Sequence, residues 1–281
     1  MRAQRRAYPL FVPAGLIFSG LFFLPLVGLF VESFRLYIPG NIGAAANAPF
    51  TFANYAELLT PSFAEYLLQT VRISLFAALA GLVFAFPLAW WITRRFSPRW
   101  RAIAVGFLAV LMFLSVLVRT YALELTFGSA GPFRQILLDL GIAPNGRIYI
   151  EFLVGAGLVH YIIPMSALTL LATIQNIDPR LVDAAQALGA PGWRAHLTIT
   201  IPLCAPGLLT AFLFAFSYSI SAFVIPMILG KGRVLFISNL AYNRFSEIAD
   251  YPSGAAISIV LFAVALALIY VTSRYIGRRW S

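Results

Sequence analysis

The sequence predicts an all-α, polytopic integral membrane protein of six transmembrane helices with both termini in the cytoplasm. Three observations carry this. Hydrophobic residues make up 61% of the 281 and charged residues only 11%, outside the range of soluble domains. Six runs lack Asp, Glu, Lys and Arg: Tyr8–Val31, Ile73–Thr93, Ala102–Val118, Phe152–Ile177, Leu197–Gly230 and Tyr251–Ser273. A helix needs roughly 20 apolar residues to cross the hydrocarbon, so each run reads as one span. The charge asymmetry sets the orientation. With the N terminus inside, the inner segments hold Arg2, Arg5, Arg6, Arg94, Arg95, Arg99, Arg101, Arg180, Arg194, Arg274, Arg278 and Arg279 against Asp178 and Asp183 alone, so the whole excess of ten positive charges falls on one face. Basic residues flanking spans answer to anionic lipid, which removes nucleic acid as the reason for the high isoelectric point.

In chain order, MRAQRRAYPLF imitates a secretory signal, but its uncharged run is too long for one, and it is read as a retained first span. Arg35 to Ala64 forms an external segment with turn signals at Pro39-Gly40, Asn41 and Gly43, followed by Phe50–Tyr55, which suits an interfacial helix with aromatic anchors. The second span carries Gly81 and Pro87 and ends on Trp90-Trp91, an aromatic-belt placement. The tight turn Arg94–Arg101 fixes topology. The third run is short, so its span is expected to continue past Arg119, with that side chain near the outer boundary or in a wet cavity. Arg119 and Glu124, five apart, either line an outer vestibule or form a structural ion pair. Phe133 to Leu140 reads as an amphipathic external helix that could help receive a partner.

The fourth span contains His160 and Tyr161, then Pro164. A histidine there is either neutral and bonded to a neighbouring helix or faces a pathway. Leu197–Gly230 is too long for one crossing; its first part, to Pro202 or Pro206, is expected to lie at the interface before the fifth span turns inward. That span holds Ser217, Tyr218, Ser219 and Ser221, which could bond between helices or line a path. Cys204 is the only cysteine, so neither an internal disulfide nor a thiolate metal site is possible. Gly230-Lys231 is no phosphate loop, because Ile225 and Gly232 stand where a Gly and a Ser or Thr are required. There is no G-x-S-x-G, no HExxH and no pair of acids inside a span, so no catalytic residues and no metal site are predicted, and the chain is not read as an enzyme.

Between the fourth and fifth spans the sequence reads DPRLVDAAQALGAPGWRAHLTITIP. Asp178 can cap a helix, Pro179 suits its first position, Gly189 tolerates the left-handed close and Pro191 blocks continuation. A helix of about ten residues follows. Leu181, Ala184, Ala185 and Leu188 lie on one side, Arg180 and Asp183 on the other. The order Asp183-Ala184-Ala185, three residues, Gly189, nine residues, then Ile199-Thr200-Ile201-Pro202 resembles the EAA signature of ABC importer permeases, with Asp183 for the usual Glu and Ile201 for the usual Leu.

From about Phe50 onward the chain looks like the spermidine/putrescine (polyamine) branch of the type I permeases. The resemblance rests on Asn54-Tyr55, Arg119-Thr120-Tyr121, the signature and Asp250–Ala256. It implies a core of five spans over residues 66–276, preceded by a tail, first span and external segment over 1–65, with residues 178–190 as a cytoplasmic coupling helix. It further implies a bacterial inner-membrane location, a second permease subunit, identical or homologous, a cytoplasmic ATPase dimer that binds ATP and magnesium, and a periplasmic solute-binding protein. No cofactor is expected on this chain. Asp183, Ala184, Ala185, Gly189, Ile199, Ile201 and Pro202 would couple to the ATPase. Candidate residues for the solute path are Arg119, Tyr121, Glu124, His160, Tyr161, Ser217, Tyr218 and Ser221. The solute implied is small and polar, polyamine-like or amino-acid-like. The competing reading is a six-helix channel or secondary carrier without an ATPase.

Overall fold

The computed structural model describes the backbone of residues 2–45 and 47–277, and the side chains of 13, 15–45 and 47–274. Arg2, Arg5, Arg6, Arg278 and Arg279, used above for orientation, lie outside the described side chains. The helices run α1 Arg2–Glu32, α2 Ala53–Glu57, α3 Pro61–Arg95, α4 Pro98–Phe113, α5 Val116–Phe127, α6 Arg134–Asp139, α7 Arg147–Gln175, α8 Arg180–Ala187 and α9 Gly192–Ala195. A π turn, His196–Thr200, leads into α10 Ile201–Ser221, followed by α11 Val224–Leu229, α12 Ile237–Ser246 and α13 Tyr251–Gly277.

Five of these stretches are long and apolar enough to cross a membrane, and the pair α4 with α5 passes the same test only when taken together. Counted as one span, that pair makes the six expected, with one departure in its form. The third span is broken, not continuous: α4 and α5 meet at 90°. Leu114 and Ser115 adopt extended ψ values of 129° and 130° between them. The second departure is in the long fifth run. The chain makes no turn at Pro202 or Pro206; helix continues from Gly192 to Ser221. Pro202 follows the π turn, whose last bond runs from the Ile201 N–H back to His196 O. The break comes instead at Ala222, with ψ 126°, before α11.

By contacts the chain divides into two units. The larger, Glu65–Asn239 with Val264–Ser281, has a core in which Ala85, Ala89, Ile92, Leu170, Ile174, Cys204 and Ala211 interlock from α3, α7 and α10. Small residues let these helices approach closely, as expected where lipid competes equally for large side chains. A Cβ at Gly207 of α10 would overlap the Thr173 side chain of α7. The turn after α3 does more than fix topology, since Arg94 donates to the carbonyls of Ile174 and Ile177 at 2.9 and 2.6 Å and so caps the end of α7.

The other unit, Met1–Ala64 with Leu240–Ala263, is organised by buried polar residues. Asn54 donates to the Ser33 and Arg35 carbonyls, both at 2.9 Å, and the Tyr55 and Ser33 hydroxyls are 2.8 Å apart. Asn54-Tyr55 thus fastens the exit of α1. Asp250 opens α13: one carboxylate oxygen accepts from the Ser253 N–H at 3.0 Å and the other pairs with Arg244 at 3.2 Å.

Candidate functional site

The segment between α7 and α10 closes as its spacing predicts. Asp178 accepts from the Arg180 N–H at 2.9 Å, satisfying one of the free donors of the first turn. At the other end Gly189 has φ +90°, which side-chain-bearing residues rarely adopt. Its N–H donates to Gln186 O at 2.9 Å and the next N–H to Ala185 O at 3.1 Å, the paired bonds of a Schellman close. The result is a short, rigid helix with none of its residues fully buried.

Of the expected apolar stripe only Ala185 turns inward, half-buried as is Val182 outside the stripe, whereas Ala184 is exposed, Leu181 is 45% exposed and Leu188 90% exposed, with Trp193 at 67% just beyond. Asp183 lines a cavity of ≈ 330 Å³ with Trp90, Arg94, Gln186, His196 and Thr200. Trp90 and Arg94 were not among the predicted site residues. Nothing in their local sequence distinguishes them from an aromatic belt and a topology signal.

The helix is tied firmly to the fifth span. In the π turn, His196 Nδ1 lies 3.0 Å from Thr200 Oγ1, and the imidazole meets Trp90 edge-on at 5.0 Å. Ile199, Ile201 and Pro202 are half-buried along this junction. From Gly192 the helix runs 30 residues to Ser221, about 45 Å.

Near the far end of that helix, four of the predicted pathway residues come together. Arg119 is 5% exposed. Its guanidinium donates to Leu111 O at 3.0 Å and His160 O at 2.8 Å, and lies 3.3 Å from His160 Nδ1. Both carbonyls lack a helical donor: Leu111 is in the last turn of α4, and His160 is four residues before Pro164, which has no N–H. Arg119 therefore bridges the break in the third span to the proline of the fourth. Its charged carbon stands 5.0 Å from the centre of the Tyr161 ring, and Tyr161 stacks on Tyr218 of α10 at 4.1 Å and 7°. Tyr161 and Tyr218 are half-buried, and the His160 side chain is exposed.

The remaining candidates make no side-chain bond to this cluster. Glu124 pairs with Lys231 at 2.6 Å, and no Arg119–Glu124 ion pair forms. Five residues' separation sets the two on different sides of α5. Lys231 was missed because only the fold brings residue 231 to residue 124. Tyr121 is exposed. Ser221 bonds back to the Ser217 and Tyr218 carbonyls at 2.9 and 3.2 Å, within its own helix.

Tight apolar helices, an uncovered rod between two of them and a polar cluster at the far end of one define a multi-pass helical membrane protein. Comparison with known proteins gives the particular family. Residues 81–281 match the model of the binding-protein-dependent transport system inner membrane component, and the chain belongs to that family. It is 31% identical over 237 residues to the spermidine/putrescine transport system permease protein PotB of Salmonella typhimurium, covering 83% of this chain and 82% of that one. The fold matches a bacterial ABC transporter involved in the import of the acidic polysaccharide alginate, with TM-score 0.73 and 18% identity over 99% of this chain and 98% of that one. A second structure of an alginate ABC transporter, in complex with an alginate pentasaccharide-bound periplasmic protein, matches with TM-score 0.72 and 19% identity over 100% and 96%. The chain is thus a multi-pass inner-membrane permease of the type I ABC importer class.

Proposed function

We propose that this chain, paired with a second permease subunit, carries a small polar solute into the cytoplasm after a periplasmic binding protein delivers it, driven by ATP hydrolysis on a partner ATPase dimer. The nucleotide and its magnesium ion belong to that partner. The observation that carries the reading is α8, closed at both ends by hydrogen bonds yet uncovered along Leu181, Ala184 and Leu188. A leucine left in water forgoes about 1.5–3 kcal/mol of burial, which docking in a cleft would recover. The excess of arginines on one face favours placing α8 in the cytoplasm.

Movement then follows from stiffness. A rod gripped by the ATPase can displace the spans only through a connection that does not bend, and the helix Gly192–Ser221 ends beside the Arg119–Tyr161–Tyr218 cluster. Asp183, Ala184, Ala185 and Gly189 make the docking surface; Ile199, Ile201 and Pro202 anchor it. Both polyamine-like and amino-acid-like solutes fit this scheme, because the binding protein does much of the selection. Mild extraction tests it: an ATPase should copurify with the chain. A chain that transports solute with no ATPase bound would instead be a channel or secondary carrier.

A further inference from the structure

Resting on the permease reading, we infer that the Arg119 cluster is a solute subsite for an anionic group, such as a carboxylate, so that the solute is not a simple polyamine. Arg119 is the starting point because no acid in its own unit answers its charge. Among the described residues of that unit, none of the carboxylates, Glu65, Glu124, Asp139, Glu151, Asp178 and Asp183, comes within ion-pair distance of it. The other buried charged residue, Asp250, is paired with Arg244. The Nε of Arg119 is buried and has no hydrogen-bond partner.

Capping two carbonyls does not call for a charge. A glutamine amide supplies two donors without the several kcal/mol that burying a cation costs, so the positive charge itself requires an explanation. In a membrane span an ionisable residue marks a solute or ion pathway, and Arg119, held by two carbonyls, has its charge unneutralised there. The ligand chemistry follows from what surrounds it. The guanidinium has N–H groups left over, and its planar fork matches a carboxylate. The stacked Tyr161 and Tyr218 rings, half-buried beside it, offer an apolar face to a short carbon chain. A dication would meet repulsion at the same place, because a like charge in a low-dielectric site is strongly unfavourable.

The test uses the intact complex purified with its ATPase, and reads thermal unfolding and equilibrium binding with three probes: putrescine, γ-aminobutyrate and glutarate. These differ chiefly in whether their ends are ammonium or carboxylate. The inference expects γ-aminobutyrate and glutarate to raise the unfolding midpoint and putrescine to leave it unchanged. Arg119→Gln should weaken carboxylate binding roughly ten- to hundredfold, the loss of a charged hydrogen bond, and Arg119→Lys should restore part of it. Putrescine binding as tightly as the carboxylates, absence of carboxylate binding to the wild type, or equal carboxylate binding to Arg119→Gln would each overturn it. The wild-type comparison decides the matter even if Arg119→Gln fails to fold. Copurification of the ATPase is a separate readout, so an intact complex that prefers putrescine sinks this inference alone.

Discussion

Replacing Gly189 with valine tests the rod directly. The residue has φ +90° and nothing lies within 4 Å of where a Cβ would stand, so the substitution meets no neighbour and the whole cost is backbone strain. A non-glycine residue held in the left-handed region costs about 1–2 kcal/mol, more for a β-branched one. Against a typical 5–15 kcal/mol of stability this leaves the subunit folded. The chain can instead relax by giving up the left-handed turn, which releases the bonds from Gly189 and Ala190 to Gln186 and Ala185 and swings the end of α8. The expected outcome is a complex that assembles and unfolds within a few degrees of wild type, hydrolyses ATP, and takes up solute at least about tenfold more slowly, the equivalent of ~1.4 kcal/mol of lost coupling. Uptake into cells and ATPase activity of the purified complex read the two halves separately. Normal uptake by Gly189→Val would refute the argument that the closed helix transmits force.

Other expectations follow from single contacts. Asp183→Lys reverses a charge on the exposed rod and should abolish uptake while leaving the unfolding midpoint of the complex unchanged. Asp250→Ala removes both the α13 cap and the partner of Arg244, and should destabilise the chain by about 1–3 kcal/mol in chemical or thermal unfolding. Asn54→Ala, which leaves the Ser33 and Arg35 carbonyls without their donor, should cost a similar ~1–3 kcal/mol by the same measurement. Gly207→Val should destabilise by roughly 1–3 kcal/mol through overlap with Thr173, and Thr173→Ala should rescue part of that loss. An undiminished effect in the double variant would argue against this close approach of α10 and α7.

Much of the fold was legible because its determinants are local. Apolar runs mark the spans, and Asp178, Pro179 and Gly189 mark the ends of α8 by requirements of their own backbone. The break at Leu114–Ser115 was not legible, since neither proline nor glycine stands there. What holds the bend is Arg119 on Leu111 O, joined to a carbonyl that Pro164 leaves free some forty residues later. The pairing of Glu124 with Lys231 escaped for the same reason. Pro202 and Pro206 gave no sign that helix runs on through both of them from the π turn. At the site, the residues of the rod were read from spacing, whereas the cluster of Arg119, His160, Tyr161 and Tyr218 required three helices to converge.

The most direct test of the central claim is a thiol cross-link from the rod. Cys204 is the only native cysteine and is buried, so Ala184→Cys gives a single reactive thiol. A short maleimide–diazirine reagent, coupled to that thiol in the extracted complex and photolysed so that the carbene inserts into whatever lies against it, should join residue 184 to the ATPase, with the yield changing when ATP is added. Labelling of that thiol from outside intact cells by an impermeant reagent, or a complex in which it links to no ATPase, would contradict the account.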